Sequence, residues 1–190
     1  MRTISRHDVQ LIFLVMGVSI VCLGLQFEPF ASLAAWHYDL IPAGQWLRIL
    51  TGNFTHTNFN HLALNLAGLW IICFIFRPSV RSLSVLLVVI STSIGIGMLY
   101  SDVQSYVGLS GTLHGLFAYY ALREALQGRS TSWLLVLGVI AKVTWELTMG
   151  ASHSSMELIG SHVAVEAHLC GVVSGIIFAL VSYPLYKNAG

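Results

Sequence analysis

Six apolar stretches separated by polar breaks run along the chain, at about 9–27, 59–76, 83–101, 110–126, 132–149 and 162–183. A helix that crosses a membrane needs about 20 mostly apolar residues. Each stretch meets or approaches that length, the fourth and fifth being short. The first follows Arg2 and Arg6, which is also the arrangement of a signal peptide. Five further stretches follow it, so a retained helix is expected. The pattern predicts an all-α, polytopic membrane protein: a six-helix bundle forming a single domain over residues 1–190. The longest connection, outer loop 1 at about 28–58, holds Trp36, Tyr38, Trp46 and Phe54, aromatics expected at headgroup level. Pro42 and Gly44 break any long helix there.

Composition narrows the function classes. Hydrophobic residues make up 56% of the chain and charged residues 9%, whereas soluble domains carry roughly 25% charged residues. A soluble enzyme and a disordered chain are excluded. The net charge of +1 leaves no basic surplus for phosphate contacts, so no nucleic-acid partner is expected. Cys22, Cys73 and Cys170 sit in apolar runs without CxxC spacing and read as small buried thiols.

The basic residues predict orientation. Arg2, Arg6, Arg77, Arg81, Arg123, Arg129 and Lys187 all fall on one side of a six-span path, which is then cytoplasmic. Both termini are expected inside. Only Arg48 falls in an outer loop, and Lys142 lies within span five.

Polar groups inside the spans each need a reason. Span two opens with His56-Thr-Asn-Phe-Asn-His61-Leu-Ala-Leu-Asn65, where His61 and Asn65 share a helix face. Interhelical hydrogen bonding explains such a pair equally well. Span four begins Gly108-Leu-Ser110-Gly111-Thr-Leu-His114-Gly115. Ser110 at a helix start is either an N-cap or a nucleophile beside unpaired backbone N–H groups that favour negative charge. Span six carries Glu166-Ala-His168-Leu-Cys-Gly171, followed by Gly175. Gly111/Gly115 and Gly171/Gly175 give spans four and six glycine faces that permit close approach. His168 points toward its glycine face, about 9 Å into the span at 1.5 Å per residue. A hydrogen bond from Ser110 to His168 is therefore available near the outer surface. Nucleophile, base and oxyanion donors then share one depth, which is what acyl transfer requires.

At these residues the chain resembles the rhomboid family of intramembrane serine proteases. The motifs are Gly108-Leu-Ser110-Gly111, Ala167-His168-x-x-Gly171-x-x-x-Gly175, and His56 with His61 and Asn65. The resemblance covers nearly the whole chain. It implies a serine–histidine dyad without an acid, with Ser110 as nucleophile and His168 as general base. Asn65, His61 and the Ser110 backbone N–H would bind the oxyanion, and His56 would border the site. Ser110-Gly-Thr-Leu-His114-Gly and Val163-Ala-Val-Glu166-Ala-His168 look like the rhombosortase branch. That branch implies a bacterial inner-membrane enzyme with its active site open to the periplasm. Its substrates would be membrane-anchored proteins whose C-terminal sorting tail holds Gly-Gly, an apolar helix and a basic end. Cleavage would fall near the glycines. The new C-terminus would go either to water or to an amine-bearing lipid headgroup.

Gly108, Gly111, His114 and Glu166 are further expected to line the site. Glu166 lies two residues before His168 and faces elsewhere, so it reads as a loop anchor or amine-binding carboxylate. Lys142 and Glu146, spaced i, i+4, read as a structural pair. Trp145 reads as a lipid contact, and His153 and His162 as solvated. No cofactor or metal is expected. The rival readings are a conventional hydrolytic rhomboid protease on other substrates and a membrane metal or haem protein using His56, His61, His114, His162 and His168.

Overall fold

A computed structural model of the chain describes residues 5–187; Arg2 lies outside them. Six long helices form the body: α1 (Arg6–Gly24), α4 (Phe59–Phe76), α5 (Val80–Gly97), α6 (Ser110–Leu126), α7 (Ser132–Met149) and α9 (Val165–Lys187). Between them lie three short helices, α2 (Phe30–Ala34), α3 (Arg48–Thr51) and α8 (His153–Ile159). Five of the long helices are long and apolar enough to cross a membrane. The exception is α6, the shortest of the six at 17 residues. It carries two charged residues in its last turns, Arg123 and Glu124, and lies mostly buried among the others.

Local chemistry sets several helix ends. Ser5 and Asp8 form a reciprocal capping box at the start of α1. Asn58 caps α4 by accepting from the His61 N–H at 2.8 Å. Ser79 caps α5, and α4 stops at Arg77 in a left-handed conformation before Pro78. The first, third and last apolar stretches are displaced by about three residues from their sequence limits, to 6–24, 80–97 and 165–187.

The connection after α1 departs most from expectation. It folds as α2, a 3-10 turn at Tyr38–Leu40 and α3, and it contributes a two-residue strand, β1 (Trp36–His37). This strand pairs antiparallel with β2 (Ser105–Tyr106), so the fold is mostly rather than wholly helical. Trp36 is not an interfacial aromatic: it is fully buried, and its Nε1–H donates to the Gly95 carbonyl at 3.0 Å. Tyr38 and Trp46 are exposed. Arg48 is buried, and its guanidinium donates to the Ser32 and Ala35 carbonyls around the end of α2. Asn53, also buried, donates to the Ser91 carbonyl on α5. The loop is thereby fastened onto the bundle. Through β2 and a bond from the Gly108 N–H to the Gly52 carbonyl at 3.1 Å, it holds the segment leading into α6.

The tightest packing is between α6 and α9. A Cβ on Gly111 would lie 2.7 Å from the Ala167 carbonyl oxygen, and one on Gly115 2.7 Å from that of Gly171. Gly171 and Gly175 are pressed in turn against the carbonyls of Gly111 and Gly115. Only glycine permits this approach of backbone to backbone.

Candidate active site

Three helix ends meet at one level. Ser110 is the first residue of α6, His168 the fourth of α9, and Glu146 lies in the last turn of α7. Gly108 adopts φ +122°, a conformation L side chains rarely take, and a Cβ there would lie 2.6 Å from the His61 ring. No side chain caps α6, so the Ser110 hydroxyl is not spent as an N-cap. Its Oγ lies 2.8 Å from His168 Nε2. The close α6–α9 seam sets that distance, and His168 is 4% exposed.

The other imidazole nitrogen, His168 Nδ1, lies 2.8 Å from Glu146 Oε2. A carboxylate accepts, so Nδ1 carries the proton and Nε2 presents its lone pair to the serine hydroxyl. Glu146 Oε1 accepts from Lys142 Nζ at 2.6 Å. The i, i+4 pair is therefore present, and it is also wired to His168. Sequence reasoning missed this connection. The available signal was an acid in the same turn-end register as Ser110 and His168, inside an apolar helix. His114 stacks on His168, ring centroids 4.2 Å apart at 22°, and its Nδ1–H donates to the Ser110 carbonyl at 2.7 Å.

Asn65 and His61 lie one turn apart on α4, both buried. The Asn65 amide donates to the His61 carbonyl at 3.0 Å, and His61 Nδ1 meets the Thr57 hydroxyl at 3.1 Å. His56 packs edge-on to His61 with ring centroids 5.0 Å apart. Burial, and secondarily His61, pushes the His56 imidazole down to about 3. It is thus neutral, and its Nε2 accepts from the Leu109 N–H at 3.4 Å. A cavity of about 200 Å³ is lined by Thr57, His61, Gly108, Ser110 and His162 among others. His162, expected to be simply solvated, is exposed but belongs to this lining. His153 is exposed on α8. Glu166 has no part in the chain of bonds from Ser110 to Lys142. A second, apolar groove of about 460 Å³ lies between α4, α6 and α7, with His114 and Lys142 among its walls.

Among the described residues, His114, Glu146 and His168 form a group whose donor atoms lie within 4.8 Å of one another. These are the residues able to share a metal. Both His168 nitrogens, however, already face Ser110 and Glu146.

Five apolar helices long enough to span a bilayer, packed around a part-buried hydroxyl–imidazole contact, are the features of an integral membrane protein. Residues 43–185 match the Rhomboid domain, and the chain belongs to the rhomboid family, a family of intramembrane proteases. It is also 27% identical over 171 residues to "Putative rhomboid protease YdcA" of Bacillus subtilis (strain 168), a match covering 80% of this chain and 78% of that protein.

Proposed function

We propose that the chain is a serine endopeptidase acting on membrane-anchored proteins, with Ser110 as nucleophile and His168 as general base. The observation that carries this is the 2.8 Å contact between Ser110 Oγ and His168 Nε2 across the α6–α9 seam. In the first step Ser110 Oγ bonds to the scissile carbonyl carbon while its proton passes to His168 Nε2. The oxyanion accepts from the Ser110 N–H and the Asn65 amide; His61, whose Nδ1–H donates to the Thr57 hydroxyl, lines the site and does not supply the third donor expected of it. Collapse breaks the C–N bond, and the leaving amine takes the proton from His168. The remaining ester is attacked by water or by an incoming amine, which gives its proton to the same nitrogen; the C–O bond to Ser110 then breaks and Oγ takes that proton back.

The substrate we assign is a C-terminal Gly-Gly tail followed by an apolar helix, as in the rhombosortase branch. Glycine supports this physically, because each one weakens a helix by about 1 kcal/mol relative to alanine. A serine can attack only an unwound carbonyl. Transfer to an amine-bearing lipid headgroup competes with hydrolysis at the ester. We further assign α6 as a sixth span. Its 17 residues reach about 26 Å at 1.5 Å per residue, close to the roughly 30 Å hydrocarbon core. Both termini are then cytoplasmic and the cavity opens to the periplasm of a bacterial inner membrane. Mass spectrometry of the C-terminus of a Gly-Gly-tailed protein, from cells with and without the active enzyme, tests substrate and outcome together. A truncated C-terminus supports hydrolysis, an added amine moiety supports transfer, and an unprocessed tail in both strains removes this substrate class. Of the five histidines of the metal reading, only His114 and His168 come together in a donor group among the described residues, joined by Glu146. Stoichiometric metal in purified protein, lost with His114→Ala, would favour it.

A further inference from the structure

We infer that Glu146 is a positioning residue for the Ser110–His168 pair, and that Lys142 keeps it ionised. This rests on the serine-protease reading and extends it from two residues to four. Glu146 meets the imidazole at Nδ1, the nitrogen opposite the one that faces Ser110, at 2.8 Å. A neutral imidazole left alone places its proton on either nitrogen. With the proton on Nε2 it cannot accept the serine proton, and the nucleophile stays an alcohol. The Glu146 carboxylate selects the productive tautomer and fixes the ring edge, while His114 stacked at 4.2 Å fixes the ring face. When Nε2 takes the Ser110 proton, the imidazolium lies against a carboxylate that exchanges no proton itself.

An ionised acid within an apolar helix is costly unless compensated. The Glu146 side chain is 14% exposed and that of Lys142 51%. Lys142, one turn earlier on α7 and the more exposed of the two, supplies the compensating charge at Oε1 at 2.6 Å. The two carboxylate oxygens are divided between the two jobs. A merely structural ion pair would engage Lys142 without pointing its second oxygen at the buried imidazole.

The test uses full-length protein purified in detergent and the rate of covalent labelling by a fluorophosphonate, with Ser110→Ala as blank. Labelling reads the nucleophile without any natural substrate. Glu146→Gln, which keeps shape but not charge, is expected to label up to about 10⁴-fold more slowly, the loss seen when a triad carboxylate is replaced by its amide. Glu146→Asp should recover part of the loss, and Lys142→Met should lose less than Glu146→Gln. On a cleavable substrate the loss should fall on kcat, with KM little changed. Glu146→Gln labelling at the wild-type rate overturns the inference and leaves the protease reading standing, as does a rise in KM with kcat intact. Absence of labelling in the unmodified protein overturns the protease reading itself. Where Glu146→Gln does not stay folded, Lys142→Met decides: wild-type labelling by it overturns the role of the pair.

Discussion

The α6–α9 seam and helix α7 differ sharply, though both reach the same site. Along the seam, backbone packs on backbone through four glycines, and most of α6 is buried. Of α7 only Ser132, Val136, Val139 and Val143 are buried, and Gly138 has open space where a Cβ would go. The seam holds Ser110 and His168 at a fixed separation; α7 brings Glu146 to the far side of the ring. The atoms proposed to react therefore sit where the fold tolerates least change. The group proposed to orient them comes from a helix with room around it.

That contrast breaks most completely at the reacting atoms. Ser110→Ala should abolish processing while the protein remains folded in membranes, read by substrate cleavage and thermal melting together; residual processing at the normal rate would remove Ser110 as nucleophile. His168→Ala should do the same and lose fluorophosphonate labelling. Asn65→Ala is expected to lower kcat by about 10²–10³-fold, the value of one oxyanion donor. An unchanged rate would confine Asn65 to its bond with the His61 carbonyl. The seam itself is sharpened by Gly171→Val, whose side chain meets the Gly111 carbonyl. Overpacking of this kind costs about 1–3 kcal/mol and should lower the melting temperature. Gly138→Ala on α7 is the counterpart and the smallest effect: stability unchanged or raised by up to about 1 kcal/mol, measured in the same melt.

Much of this arrangement was legible in the residues. The limits 59–76, 110–126 and 132–149 coincide with α4, α6 and α7, because Asn58, Pro78, Gly108, Gly128 and Gly150 punctuate the chain there. The meeting of Ser110 with His168 follows from glycine spacing on two helices. Glu146 was not legible as their partner. Lys142 at i−4 offered it a complete local explanation, and the rotation of α7 about its axis is set by tertiary packing. Trp36 was misplaced for a similar reason: an aromatic in an outer loop reads as interfacial until a carbonyl such as that of Gly95 is found beneath it. A two-residue strand pair is too short to leave a period in the sequence.

The order of the helices along the chain carries one more consequence. Asn65, Ser110 and Glu146 all precede His168, and the imidazole arrives only with α9. A chain that ends before α9 has Ser110 without the imidazole proposed to activate it. On the proposed mechanism the serine therefore gains its base only when the last long helix is in place.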